Sequence, residues 1–333
     1  MILEQCSKNI AVLFTDSISC DTKNAFSGRY WSRVHSIFSK KAEEHGLRLF
    51  FAPYNEFRDG KLDRAWIYKK NRWVKVHNQE VGLVYSRFAK TMFLGNKENP
   101  KAVSFKYRMI EKVTLLNHPL IDRFCWDKRI VSEMFPELTP KTFLINTLRG
   151  LKAVLPELKS KKIVLKPRFG TMGQNVIITD KDNLPETIEE NTIVQEFIDT
   201  SEGIKGLTKG YHDLRLIIAD GRIDHAHIRV PKKGLLTANV ALGGKKVFIK
   251  NEQIPKKAAS IARKIDRLFR DYRPRVYSID FLMDKNQKPY IVECNSQPMI
   301  DKYAFGKYAD LSFYDRLFEV MKRSIKIKIL ETL

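Results

Sequence analysis

Two carboxylates stand on either side of a short polar turn late in the chain. Asp280 lies in the apolar run Val276-Tyr-Ser-Ile-Asp-Phe-Leu-Met283, and Glu293 lies in Tyr290-Ile-Val-Glu-Cys-Asn295, with Asp284-Lys-Asn-Gln-Lys288 between the two runs. Apolar runs around a polar turn specify a hairpin. A turn centred near Asn286 sets Asp280 opposite Glu293, and strand alternation keeps Asn295 on the face of Glu293. Cross-strand neighbours are about 4.5–5.5 Å apart at Cβ. Two carboxylates and an amide oxygen so placed suit a hard cation such as Mg²⁺. The alternative is a solvated hairpin face with ordinary surface acids. Against it stand the apolar neighbours of both acids, among which an unpaired charge is costly.

Other chemistry-bearing residues fall in a consistent order upstream. Lys166 ends the strand-like run Lys161–Pro167, and Gly170-Thr171-Met172-Gly173 then marks a turn into a second strand through Thr179. Glycines between strands let backbone N–H groups approach phosphate oxygens, with Lys166 supplying charge beside them. No helix follows, so this is not a P-loop, and a plain hairpin turn fits the spacing equally well. The run Asn191–Ile198 is another strand, turning polar at Asp199. Asp213 and Arg215 share a face of the strand that ends at the turn Asp220-Gly221. On the return strand His225, His227 and Arg229 share one parity. Two histidines at that spacing could bind a metal, but no third ligand is evident, and polar-face residues are the simpler expectation. Arg87 ends the run Val81–Arg87 and faces either a substrate or water. Cys294 points away from Glu293 and Asn295, into the core. No Ser/His/Asp or Cys/His set offers a side-chain nucleophile.

These residues need a scaffold, and the patterning describes one. The run Lys8–Phe14, a helix carrying Tyr30, Val34, Ile37, Phe38 and Ala42 on one stripe, and the strand Leu47–Ala52 give a β-α-β start and a small parallel sheet. Further strands are expected at Ala65–Tyr68 and Trp73–His77. Val103–Leu116 reads as a helix, Asp127–Phe135 as a short helix carrying Lys128, and Leu138–Ile145 as extended chain. Gly234–Gly244 is loop-like and contains Asn239. Lys256–Tyr272 is an amphipathic helix with a solvated basic face. Phe313, Leu317, Met321 and Ile325 mark a closing helix. The chain thus divides into residues 1–116, a small α/β domain, then 117–198 and 199–333.

Composition narrows the partners. The chain has 333 residues, with 60 Lys and Arg against 38 Asp and Glu, a formal charge of +22. That excess implies anionic company. The cations are spread along the chain with no RNA- or DNA-binding motif, so a nucleic-acid partner is not expected. No run approaches the roughly 18 apolar residues of a membrane span, and no signal peptide is apparent. Four unpaired cysteines, Cys6, Cys20, Cys125 and Cys294, point to a reducing cytoplasm.

Taken together, Lys128, Lys166 with its glycine turn, Gln195–Ile198, Asp213, Arg215, Arg229, Asn239, Asp280, Glu293 and Asn295 resemble the ATP-grasp superfamily over residues 117–300. Within it the chain is most similar to glutathione synthetase and RimK-type amino-acid ligases. The resemblance implies a mixed α/β ATP-grasp fold and an ADP-forming carboxylate–amine ligase that works through an acyl phosphate. It implies that Lys128 and Lys166 contact ATP phosphates, Lys166 also lying near adenine. Gly170, Thr171, Met172 and Gly173 would close over the β- and γ-phosphates. Gln195, Glu196, Phe197 and Ile198 would form the hinge, with backbone bonds to adenine from Glu196 and Ile198. Asp213 would lie near the ribose, and Asn239 would join the nucleotide site. Arg215 and Arg229 would stabilise the transferring phosphoryl group. Asp280, Glu293 and Asn295 would hold two Mg²⁺ ions, Mn²⁺ being a possible substitute. The family's usual Pro-Gly after the metal-site Asn is Pro298-Met299 here, which bears on the acceptor side. Two other readings fit the charge: an ATP-grasp kinase acting on a polyanionic hydroxyl substrate, and a basic nucleic-acid or acidic-protein binder on a vestigial ATP fold. The high positive charge makes an acidic amino acid or peptide the expected acceptor.

Overall fold

The computed structural model describes residues 8–94, 96–170, 175–238, 243–298 and 311–332. Its first layer begins with β1 (Asn9–Phe14), which is wholly buried, as its unbroken apolar run requires. The helix α1 (Arg29–Glu44) crosses to β2 (Arg48–Pro53), which runs parallel to β1. The short β3 (Phe57–Arg58), the long hairpin β4 (Lys61–Lys69) and β5 (Arg72–Glu80), and β6 (Leu83–Arg87) follow. The turn between β4 and β5 is Lys70-Asn71, both at positive φ.

A small hairpin, β7 (Phe93–Leu94) and β8 (Lys97–Glu98), leads to α2 (Pro100–Ile110) and then β9 (Thr114–Leu116). The single helix expected over Val103–Leu116 is therefore two elements. The helix stops at Ile110, and the apolar run that follows pairs in parallel with Leu83–Tyr85, completing the sheet order β3-β4-β2-β1-β6-β9. Burial of Val113, Leu115 and Leu116 on both sides of that sheet outweighs helical periodicity.

Two short helices, α3 (Pro119–Trp126) and α4 (Lys128–Met134), are separated by Asp127, whose side chain caps the second by accepting from Arg129 N. Next come β10 (Thr142–Ile145), α5 (Leu148–Val154), β11 (Lys162–Pro167), β12 (Ile177–Asp180) and β13 (Thr192–Glu196). They make a four-stranded sheet ordered β10-β13-β11-β12. The last sheet, ordered β16-β15-β14-β17-β18, is antiparallel throughout. It contains β14 (Asp213–Ala219), β15 (Arg222–Val230), β16 (Lys245–Ile249), β17 (Val276–Met283) and β18 (Pro289–Asn295). The helix α6 (Lys256–Leu268) buries Ala258, Ala259, Ala262 and Ile265 beneath it, as the amphipathic pattern predicts. Its Asp266 is buried too and takes both arms of Arg275, at 2.8 and 2.6 Å, together with the Tyr277 hydroxyl at 3.1 Å.

The closing helix α7 (Leu311–Thr332) returns to the first layer. Phe313, Leu317, Met321 and Ile325 are buried in the cluster that holds Ile10, Val12, Phe38 and Phe51. The rings of Phe38 and Phe318 lie 5.0 Å apart.

Candidate active site

A cavity of about 1060 Å³ opens where the three sheets meet, lined by residues from the first strand of the chain to α7. That volume suits a nucleotide with a second small molecule beside it. Its charged centre is built on three neighbouring strands. Asp280 on β17 pairs with Arg215 on β14, and Asp213 on β14 pairs with Arg229 on β15, all in antiparallel register. Arg215 grips Asp280 with both arms, Nε to Oδ1 and Nη2 to Oδ2 at 2.6 Å each. Arg229 spans the two acids, Nε to Asp213 Oδ1 at 2.6 Å and Nη2 to Asp280 Oδ2 at 2.5 Å.

Burial alone would raise the pKa of both acids. At Asp280 burial is outweighed by the charges of Arg215 and Arg229, together with the hydrogen bonds they donate, which hold the carboxyl below its usual value. At Asp213 burial wins over the single bond from Arg229, the charge of Asp280 adds to it, and the carboxyl is pushed up to about 6. Burial also works against a charged Arg229, yet Asp213 and Asp280 together keep it above its ordinary value. The two arginines are thus held by carboxylates in the cavity wall.

Opposite Asp280, in direct register on β18, stands Glu293. The expected pair is present, but it depends on a register shift between Asp280 and Phe281 that the turn count does not anticipate: nearer the turn Phe281 pairs with Ile291 and Met283 with Pro289. Asn295 also lines the cavity, and its Oδ1 accepts from Gln297 N at 2.8 Å. Cys294 is buried and free, and burial pushes its thiol far up, which makes it a core residue. Among the described residues no three His, Cys, Asp or Glu side chains gather closely enough to hold a metal ion. The donor set available is therefore two facing carboxylates and one amide oxygen, hard ligands that fit Mg²⁺ when the remaining positions come from phosphate and water. Asp280 would share its oxygens between such an ion and the arginines.

The second sheet supplies the other wall. Lys166 is buried on β11, with Nζ donating to Gln195 Oε1 at 2.8 Å and to Val292 O at 3.1 Å. Burial and then the charge of Lys128 lower its pKa to about 7, while Glu293 pulls the other way. Lys128, at the start of α4, donates to Gly170 O at 2.9 Å, and burial lowers its pKa as well. The apolar residues Val164, Ile178, Leu282 and Val292 line the same end of the cavity, with Phe197 and Ile198 beside them. Glu196 plays a more structural part than expected. Its N–H donates to Lys141 O at 2.9 Å, so a backbone bond from Glu196 to a base would have to use its carbonyl. Its side chain accepts from Lys159 N and Ser160 N.

Of the sequence-predicted residues, Lys128, Lys166, Gly170, Gln195, Glu196, Phe197, Ile198, Asp213, Arg215, Arg229, Asp280, Glu293 and Asn295 all line this one cavity. Thr171, Met172, Gly173 and Asn239 lie outside the described residues, as does Met299 after Pro298. Arg87 lines the cavity and donates to Tyr85 Oη and Pro298 O at 3.1 Å. Two expectations need correction. His227 is buried beside Phe248 instead of lying on a polar face. Tyr30 is 45% exposed at the cavity, because α1 turns its first residues away from the core stripe that Val34, Phe38 and Ala42 form. Lys90, Trp31, His35 and Phe313 also line the cavity, and sequence patterning gave no functional signal for them.

Three sheets around a cleft, with buried lysines on one wall and a carboxylate–arginine lattice on the other, are the architecture of the ATP-grasp class. Residues 136–315 match the model of the RimK-like ATP-grasp domain, and the chain belongs to that family. It is 25% identical over 196 residues to a protein of Psychromonas ingrahamii described as "Probable alpha-L-glutamate ligase", covering 56% of this chain and 59% of that one. It is 30% identical over 223 residues to the glutathione synthetase of Shewanella oneidensis, covering 61% and 68%. The chain spans between about half and two thirds of the length of these curated relatives. Among solved structures, D-cycloserine synthetase DcsG shares the fold at a TM-score of 0.60 and 16% identity, over 94% of this chain and 99% of that one. ATP-grasp ligase PsnB, complexed with minimal precursor, Mg and ADP, does so at 0.56 and 13%, over 96% and 99%. ATP-grasp ligases of this kind use ATP and Mg²⁺. Among the described residues no helix is long and apolar enough to cross a membrane.

Proposed function

We propose that this chain is an ADP-forming carboxylate–amine ligase acting on an amino acid or peptide, in the cytoplasm. The observation that carries the reading is the lattice of Arg215, Arg229, Asp213 and Asp280, with Glu293 in register beside Asp280, all lining one cavity. In it, a substrate carboxylate oxygen attacks the γ-phosphorus of ATP, the bond to the β-phosphate oxygen breaks, and ADP leaves. An amine then attacks the acyl phosphate carbonyl, phosphate leaves with the C–O bonding pair, and the amine gives up a proton. Both steps move negative charge between oxygens, so the chain's task is to hold reactants and to meet that charge with fixed cations. Arg215 and Arg229 would face the transferring phosphoryl group, and Lys128 and Lys166 the phosphates behind it. Residues 170–173 would close over them. Glu196 to Ile198 would border adenine, Asp213 the ribose, and Asn239 would complete the nucleotide site. Asp280, Glu293 and Asn295 would hold two Mg²⁺ ions, which supply charge neutralisation on the triphosphate when bound.

An ADP-release screen over pairs of carboxylates and amines tests this, with hydroxylamine as a trap. A hydroxamate supports the acyl phosphate. A phosphorylated alcohol that survives hydroxylamine would instead identify a kinase. ADP release independent of any carboxylate, or salt-steep nucleic-acid binding unchanged by Asp280→Asn, would overturn the ligase reading.

A further inference from the structure

Part of the cavity wall is unused by the reaction just described, and it is made largely of rings. On β15, His227 is 4% exposed, and among the described residues neither of its ring nitrogens has a hydrogen-bond partner. It packs against His225 at 6.1 Å and Phe248 at 5.5 Å, and His225 meets Phe313 of α7 at 5.3 Å. From α1, Trp31 is 38% exposed, stacks on His35 at 6.0 Å, and meets Tyr30 at 5.0 Å. His35 is buried, with its Nδ1 also unpaired. All of these residues line the one cavity, together with Arg87 and Lys90.

A neutral imidazole always presents one donor and one acceptor. Burying both without partners is costly, and such a group in a cavity wall marks a place where a ligand completes the bonding. Burial, and then the charge of Arg215 and its cationic neighbours, keep His227 uncharged at neutral pH. His227 sits directly opposite Arg215 in the β14–β15 ladder. Cross-strand neighbours lie within about 5.5 Å at Cβ. A carboxylate held by Arg215, which gives two of its five N–H donors to Asp280, would therefore lie beside the buried His227 ring. The surrounding rings offer flat faces to a flat group.

We propose that this ring-lined wall is the substrate side of the ligase cavity and that its occupant is a carboxylic acid bearing an aromatic ring, held at the acid end by His227 beside Arg215 and at the ring by Trp31 and Phe313. The proposal deepens the ligase reading and departs from the acidic acceptor that net charge suggests. His227 is then a specificity-determining residue.

The test is equilibrium binding to the full chain in the presence of Mg²⁺ and ADP, measured calorimetrically. The probes are N-acetyl-L-phenylalanine, N-acetyl-L-glutamate and N-acetyl-L-alanine, which share the acid and the amide. The phenylalanine derivative should bind at least tenfold tighter than the other two. His227→Phe should weaken it about tenfold while leaving the Kd of ADP unchanged. Trp31→Ala, at a half-exposed site that does not threaten folding, should abolish the preference for the ring. Equal or glutamate-favouring binding to the unaltered chain overturns the proposal, as does a folded Trp31→Ala with the preference intact. The two readings separate in the hydroxylamine assay. Hydroxamates formed only from ring-free acids refute the aromatic occupant and leave the ligase standing. Ring-selective binding without any hydroxamate refutes the ligase and leaves the ring-binding wall standing.

Discussion

Nucleotide binding should take up a proton at alkaline pH, and Lys166 should be the group that takes it. In the ligand-free chain its pKa is lowered to about 7 by burial and by Lys128, and its ammonium has only two neutral oxygens, Gln195 Oε1 and Val292 O, as partners. At pH 8 a group with that pKa is only about 10% charged. Phosphate oxygens brought against it would restore a value near the ordinary 10.4, so binding should absorb about 0.9 proton at pH 8 and only about 0.1 at pH 6. Phosphate groups are themselves almost fully ionised at pH 8, with a second pKa of about 6, so they contribute little. The sign follows from linkage. The bound form holds more protons above pH 7, so affinity should fall, by up to about tenfold per pH unit, between pH 7 and 10. The assay is calorimetric titration of MgADP in two buffers of very different ionisation enthalpy. The apparent heats should diverge at pH 8 and lose most of that divergence in Lys166→Met. Heats independent of buffer at pH 8, or a divergence untouched by the substitution, would refute the placement of Lys166 at the phosphates.

Other expectations follow from the same contacts. Asp280→Asn and Glu293→Gln should each lower turnover by at least about 1000-fold with the circular-dichroism spectrum retained; near-normal activity in both would remove the metal assignment. Asp280→Asn should also lower the melting temperature, because breaking a buried pair by removing one partner costs about 3–5 kcal/mol, whereas Glu293→Gln, with no such partner pair, should not. Asp266→Asn should cost a similar ~3–5 kcal/mol in denaturant unfolding by leaving Arg275, which is 1% exposed, with the more distant Asp220 at 3.7 Å as its acidic neighbour; MgADP affinity should be unchanged, since this pair lies outside the cavity lining. His35, whose pKa burial and then Arg87 lower to about 3, should weaken the fold as pH drops below 6.5, by about 2 kcal/mol at pH 5. The unfolded chain binds a proton there that the folded chain refuses, and His35→Phe should flatten that acid limb.

The hairpin was legible in outline because its information is local: a polar turn sets the pairing outward from Met283 and Pro289, but a register shift between Asp280 and Phe281, which no residue pattern signals, is what carries Glu293 opposite Asp280. The lattice above it was only half legible. Alternation put Asp213 and Arg215 on one face, but nothing in either strand says that Arg229 reaches across to Asp280 two strands away. That contact depends on sheet order, which is non-local. The same reason explains Val103–Leu116, where helical spacing persists into residues that a neighbouring strand captures. His227 misled for a different reason. A polar residue in alternation with apolar ones signals solvent, unless that face of the sheet is covered, and here Phe313 of α7 packs on His225 and Phe248 of β16 on His227. The aromatic start of α1 carried no motif at all, because a substrate wall needs only shape and rings.

The return of α7 to the first layer has a consequence for how the chain is made. Residues 313–325 complete the cluster around Ile10, Val12 and Phe38, yet a ribosome delivers them long after β1, α1 and β2 have emerged. At about 5–20 residues per second, the first sheet must wait roughly 10–40 s with that face uncovered. During synthesis its apolar surface is open to chaperones and to other nascent chains, and the order of assembly runs against the order of translation: the part made first is the part finished last.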